Sequence, residues 1–173
     1  LGGFGNVQLS LDYSIDTKNS LTFSARNSRR AFNLDNNQQS YSFINSVKTP
    51  TFGNEINTKN LGNNLDLNLD YTRKFDKEGK EFSVLAQFSQ NSGDNSYTRD
   101  LYQGLSVGEI TYRESNPNKS KTQERTVQID YQDPLSQYVQ IETGAKMILR
   151  HIESDFRFNY DSTGTGILKA NPL

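Results

Sequence analysis

The sequence predicts an all-β chain of antiparallel strands arranged as a sector of a transmembrane β-barrel. Three observations carry that expectation. Apolar and polar residues alternate at period two in three separate runs, a tyrosine stands near the end of each run, and short turns alternate along the chain with long connections. Period-two alternation puts residues i and i+2 on one face of a strand; a helix has no such period.

The first run, VQLSLDYS, sets Val7, Leu9, Leu11 and Tyr13 against Gln8, Ser10 and Asp12. DTKN at 16–19 has the composition of a tight reversal, and the return sets Leu21, Phe23 and Ala25 against Thr22, Ser24 and Arg26. The second run, LDLNLDYT, sets Leu65, Leu67, Leu69 and Tyr71 against Asp66, Asn68 and Asp70. It turns at DKEGK, 76–80, and returns through Phe82, Val84, Ala86 and Phe88, with Leu85 as an exception on the polar side. The third, VQIDYQ, sets Val127, Ile129 and Tyr131 against Gln128 and Asp130, turns at DPLSQ, 133–137, and returns through Val139, Ile141, Thr143, Ala145, Met147 and Leu149, with Ile148 as the exception. The three tyrosines are 58 and 60 residues apart. The reading is three hairpins, about 4–30, 64–91 and 124–151, giving six or more strands.

Between the hairpins the connections, about 27–63, 91–124 and 151–173, are long and rich in Asn and Ser, with Gln39–Val47 and Gly108–Glu114 resembling strand extensions. Compact domains rarely hold such loops. Short turns at one end and long loops at the other are the habit of outer-membrane barrels, with the short turns periplasmic and the long loops extracellular. Alternation alone leaves two readings open: a barrel with lipid outside and water inside, or a soluble secreted all-β binding module, for instance carbohydrate-binding, whose apolar faces form a sandwich core. Tyr13, Tyr71 and Tyr131, all shortly before the short turns, fit a membrane-interface girdle; packing at strand ends is the plainer account. Six strands are too few for a membrane barrel, whose smallest common form has about eight. The chain is therefore expected to be an internal sector of a larger barrel, or else its loop segments add strands and close a small one.

With 19 basic and 20 acidic side chains the formal charge is −1, which gives no nucleic-acid footprint. The absence of cysteine removes disulfides, thiolate metal sites and cysteine nucleophiles, and the single histidine, His151, leaves histidine zinc clusters and Ser-His-Asp triads little to build on. No enzyme, metal or cofactor is expected. Aromatic content of 11% is too high for a solvated tail, and the aliphatic runs are too short for a membrane helix, so any contact with a bilayer is made by strands.

At NNLDLNLDYTRKFDKEGKEFSVLAQFSQNSGDN and RTVQIDYQDPLSQYVQIETGAKMILRHIESDF the sequence resembles the barrel domain of TonB-dependent receptor-like outer-membrane proteins of Bacteroidetes, over about residues 7–159. The resemblance lies in strands and turns and includes no catalytic motif. It implies an outer-membrane location, a barrel of about 22 strands closed by a plug, and uptake of a nutrient with force from TonB acting through that plug. It also implies outer-membrane lipid, the plug and the remaining strands of the same barrel as partners. A barrel without a transport role, serving a surface lipoprotein or another partner in a surface complex, is the other reading within the same architecture. No plug, TonB box or signal peptide is recognisable in these residues.

On that reading Asp12, Asp70 and Asp130 face the lumen near the periplasmic end, on alternate strands about 9–10 Å apart. That is too far for a shared metal and suits contact with Arg or Lys of a plug; solvated wall carboxylates are the plainer account. Arg26, Glu142, Lys146 and Arg150 stand higher in the wall, as salt bridges or as guides for a polar solute. Phe32, Tyr41, Phe43, Phe52, Tyr97, Tyr102 and Tyr112, set among Asn, Gln and Ser in the long connections, suit stacking on sugars, gripping a peptide, or packing the loops on one another. DSTGTG at 161–166 lacks the spacing of a calcium or phosphate loop, and His151 is assigned no role.

Overall fold

The computed structural model describes residues 2–104 and 109–171. They form eight strands, β1 (Gly2–Ser14), β2 (Asn19–Ile44), β3 (Val47–Lys74), β4 (Glu81–Gln103), β5 (Ile110–Ser136), β6 (Val139–Phe156), β7 (Asn159–Asp161) and β8 (Lys169–Ala170). All pairings are antiparallel and belong to one sheet, running β1-β2-β3-β4-β5 and then dividing. The lower part of β5 pairs with β6, and its upper part with β7, which carries β8 at its edge. The division falls at Pro117. That residue has no N–H to donate, and its carbonyl accepts the last bond from Arg157 N at 3.0 Å.

The expected hairpins are present, and their short turns lie at one end. Asp16 organises the first: its Oδ1 accepts from the backbone N–H groups of Lys18 (2.7 Å) and Asn19 (2.8 Å). In the second, Gly79 supplies a φ of 76°. The third reverses at Gln137–Tyr138, later than the expected 133–137, because Asp133 and Pro134 are still paired within β5 and a bulge at Leu135 absorbs one residue.

The expected long loops require correction. Residues 27–63 run as strand through the second half of β2, a two-residue turn at Asn45-Ser46 and the first half of β3. Residues 91–103 lie in β4 and 110–124 in β5, and β6 carries strand past His151 to Phe156. Four strands thus reach 26, 28, 23 and 27 residues, whereas a tilted transmembrane strand needs about 9–11. Asn- and Ser-rich sequence has little strand preference of its own, but here an already aligned neighbour supplies backbone partners, on both sides of β3 and β4 and, beyond Phe32, on the β3 side of β2. Gly108, placed at the start of one expected extension, lies outside the described residues.

The sheet is open: β1 has a partner on one side alone, and β6 pairs only with β5. Among the described residues no hydrophobic side chain is buried and no second layer covers either face. A sandwich core is therefore absent, and Val7, Leu9, Leu11 and Tyr13 stand exposed, Tyr13 at 61%.

The Asn45-Ser46 turn holds both residues at positive φ, 51° and 65°, the geometry a two-residue hairpin turn requires and one that costs a non-glycine residue about 1–2 kcal/mol. Ser46→Gly is expected to slow amide exchange at Phe43 and Lys48 by roughly fivefold, and Ser46→Val to speed it by a similar factor.

Candidate functional site

Register fixes which side chains share a face, and it gathers the sequence-singled residues on two opposite sides. Across the apolar face run the rows Tyr13-Leu21-Tyr71-Val84-Ile129-Ala145 and Leu11-Phe23-Leu69-Ala86-Val127-Met147. Tyr13 and Tyr71 lie in one row; Tyr131 lies two residues nearer the turns, paired with Phe82 and Thr143. If these tyrosines are read as a membrane-interface girdle, its descent along the sheet is what tilted strands produce. The tyrosine hydroxyls point turnward: Tyr71 donates to Asn19 Oδ1 at 2.6 Å and Tyr131 to Asp133 Oδ2 at 3.0 Å.

Beyond the girdle the three turns are tied by charge. Lys18 Nζ meets Asp76 Oδ1 at 2.5 Å, and Asp133 receives Lys77 at 2.8 Å and Lys80 at 3.0 Å, while the Lys80 ammonium lies 5.6 Å from the Tyr131 ring centroid. The Lys18 bond keeps the Asp76 carboxyl below its usual range, and the backbone N–H of Lys18 does the same for Asp16. Lys77 and Lys80 hold Asp133, which lies past the apolar stretch of β5, down at about 2.

The polar face carries the candidate lumenal residues. Asp12, Thr22 and Asp70 share a row that continues through Leu85 and Gln128 to Lys146, and Thr22 Oγ1 donates to Asp12 at 2.7 Å. Asp130 lies one row nearer the turns, so the three carboxylates form a stepped line. The Asp130 carboxylate accepts from Gln128 Nε2 at 2.7 Å and fills the space over Gly144 that a Cβ would take. Together with Glu81, Ser83, Gln132 and Glu142 it borders a cavity of about 300 Å³, while Glu142 itself accepts from Gln140 at 2.5 Å. Four carboxylates face this part of the wall near the turns: Asp70, Glu81, Asp130 and Glu142.

Higher on the same face the row Gln8-Arg26-Asp66-Ser89-Glu124-Arg150 carries two cations, Arg26 and Arg150, each beside an acid, Asp66 and Glu124. Arg150 reaches Glu124 through Nε at 2.9 Å and Nη2 at 2.5 Å; Arg26 donates to Asn6 Oδ1 at 3.3 Å and stands opposite Asp66. Asp66 and Glu124 were not singled out by sequence reasoning. The pairing of Glu124 with Arg150 depends on the Leu135 bulge, which shifts every partner above it by one residue.

Above the apolar rows the faces exchange character. On the side that is polar below stand Phe32, Leu34, Ile56, Tyr97, Leu101, Tyr112 and Tyr160, with Arg99 donating to Asn54 at 2.9 Å. On the side that is apolar below stand Lys59, Asp94, Asp100, Arg113 and Lys119, with Arg113 and Asp100 joined at 2.6 and 2.8 Å. Of the aromatic residues expected in the connections, Phe32, Tyr97 and Tyr112 share the side that is polar below; Tyr102 is on the other, bonded to Glu55 at 3.1 Å, and Tyr41 lies under Lys48 at 3.8 Å near the hairpin tip. Asp161, 3% exposed, is satisfied within its own loop by Thr163 and Gly166, which gives it a turn-forming role. His151 Nε2 lies 2.9 Å from Glu153 on the outer side.

The model of a family described as outer membrane protein beta-barrel matches residues 73–172, more than half of the chain. No curated protein matches it.

Because the pairing of Asp133 lowers its folded pKa below the unfolded value of about 3.9, its contribution is present above that value and fades as pH falls toward about 2. Amide exchange at the Phe75–Lys80 turn is expected to be unchanged from pH 7 to pH 5 beyond its intrinsic pH dependence. It should rise between pH 4 and pH 2, a rise that Asp133→Asn removes by loosening the turn at every pH.

Proposed function

The chain belongs to the outer membrane protein beta-barrel family, and from that premise we propose that it forms one sector of the wall of a TonB-dependent receptor-like barrel. This barrel takes up a nutrient through the outer membrane of a Bacteroidetes cell. The observation that carries the reading is the exchange of faces along β2 to β5. At the level of the apolar rows the outside suits lipid and the inside water, whereas above it the outside is charged and the inside aromatic. A wall of this kind gives a polar lumen topped by an extracellular vestibule in which Phe32, Tyr97, Tyr112 and Tyr160 offer flat faces beside amides such as Asn54 and Asn95. Such a lining suits capture of a solute with both apolar and hydrogen-bonding surfaces.

The open edges at β1 and β6 call for further strands, since an unpaired strand within lipid leaves a row of unsatisfied N–H and C=O groups. The stepped line Asp12, Asp70 and Asp130 and the neighbouring Glu81 and Glu142 give the turn end of the lumen a negative wall, matched by a basic plug surface. Arg26, Lys146 and Arg150 stand within the charged rows above it. The barrel performs no covalent chemistry. Its partners are outer-membrane lipid, its own plug and remaining strands, TonB through that plug, and a surface lipoprotein at the extracellular rim.

The reading is tested in cells by comparing strains that lack the whole protein or lack TonB for accumulation of a panel of labelled oligosaccharides, peptides and iron chelates. The same solute is expected to be lost in both. A protein found in the outer membrane whose deletion changes no uptake contradicts the transport role and leaves a structural barrel. In the whole protein, Asp12→Asn, Asp70→Asn and Asp130→Asn together are expected to raise protease sensitivity of the plug several-fold and to slow uptake. Unchanged plug protection and unchanged uptake would contradict the plug contact.

A further inference from the structure

On the outward face, just above the apolar rows, stands a group of cations that form no close ion pair. Arg29 and Lys121 share the row Gly5-Arg29-Asn63-Ser92-Lys121-Glu153; Lys119 lies one row above and Arg125 two rows below, next to Phe88 and Leu149. The acids nearby are mostly engaged. Glu153 meets His151 at 2.9 Å, and Asp155 meets Arg157 at 3.0 Å. Among the described residues none of the four cations has a carboxylate within 4.0 Å; Asp94 stands opposite Lys119, and Glu153, opposite Lys121, is held below its usual range by His151 first and by Lys121 at longer range. Between Arg29 and Lys119 lies a groove of about 540 Å³ floored by Leu61, which is 43% exposed, and bordered by Asn63, Ser92 and Asp94.

Four cations free of close ion pairs on a face that meets lipid, at the level where the apolar rows end, are poorly placed for a soluble partner and well placed for lipid headgroups, which can approach them more closely than Asp94 or Glu153 does. We infer that this patch binds a phosphate-bearing lipid headgroup of the outer leaflet. Lys119 and Lys121, two residues apart on one face of β5 and so about 7 Å apart along the strand, receive the phosphate. Arg29 closes the far side of the groove. Leu61 meets the apolar part of the headgroup linkage, and Arg125 extends its guanidinium upward from among apolar neighbours. The inference rests on the outward face being the lipid face and on the long strands being extracellular.

The test uses the whole protein carrying these residues, purified in neutral detergent and titrated with short-chain phosphatidic acid, with short-chain phosphatidylcholine and with inorganic phosphate. Thermal unfolding and retained lipid by native mass spectrometry are the readouts. Phosphatidic acid is expected to raise the melting temperature and to remain bound, and the other two to do neither. Changing Arg29, Lys119, Lys121 and Arg125 together to Gln should weaken that binding about tenfold or more, whereas Asp94→Asn strengthens it. Arg30→Gln, next in sequence but on the inner face, should leave it unchanged. Equal stabilisation by inorganic phosphate overturns the lipid assignment in favour of a free-anion site. Equal binding by the fourfold variant, with heat-modifiable gel mobility intact, overturns the site itself. If that variant loses its heat-modifiable mobility, Lys119→Gln and Lys121→Gln singly decide, each expected to weaken binding several-fold. Failure of the lipid-face reading is separately visible: the unmodified protein would then need no detergent to stay in solution.

Discussion

Every assignment of a side chain in this protein depends on the antiparallel backbone ladder. With no buried apolar side chain among the described residues, packing does not decide which residue faces where; register does. Side chains alternate sides along a strand wherever no bulge intervenes, so a single slip would exchange Leu69 for Asn68 and bring Asn and Asp onto the apolar face. The ladder also allows the chain to live in a membrane, because each backbone polar group there must be satisfied by a neighbouring strand. The tight turns, the charged links between Lys18 and Asp76 and between Lys77, Lys80 and Asp133, and the tyrosines above them hold that ladder at one end.

The ladder continues far beyond the thickness of a bilayer, and the two faces exchange roles where it emerges. Below, apolar rows from Tyr13 to Met147 lie opposite rows of Asp, Ser, Gln and Arg; above, Lys119, Asp100 and Arg113 lie opposite Tyr97 and Tyr112. On the proposed reading, one sheet supplies a lipid-facing wall and an extracellular vestibule with no change of secondary structure. The proposed lipid and plug contacts fall at opposite levels of this sheet, the first at Arg29, Lys119 and Lys121 and the second at the carboxylates Asp12, Asp70 and Asp130 near the turns.

Much of this was legible in the sequence where the alternation is strong. Val7 to Tyr13, Leu65 to Tyr71 and Phe82 to Phe88 gave both strand and face, and the turn residues Asp16 and Gly79 gave the reversals. The Asn- and Ser-rich connections read as loops because their strand character comes from the partner across the ladder, which local composition does not encode. Register was hidden for a related reason. Bulges at Ser40/Tyr41, Leu101/Tyr102 and Leu135 each shift pairing by one residue, so Arg150 meets Glu124 and Arg26 stands opposite Asp66 only after a step that turn positions alone do not reveal. The stepped position of Asp130 relative to Asp12 and Asp70 has the same origin in strand stagger.

The assignment of faces is measured most directly by single cysteines, for which this cysteine-free sequence is a clean background. Cysteine is placed at Leu11, Leu69 and Met147, at the inward neighbours Asp12, Asp70 and Lys146, and at Lys119 above the boundary, in the whole protein in native outer membranes. Each variant is then challenged with a membrane-impermeant maleimide and with a lipid-partitioning one. The first three positions should react with the lipid-partitioning reagent alone, and the inward three with the water-soluble reagent once the plug is displaced; position 119 should react with the water-soluble reagent from outside the cell. Water-soluble labelling at 11, 69 and 147, or lipid-phase labelling at 12, 70 and 146, would contradict the assignment.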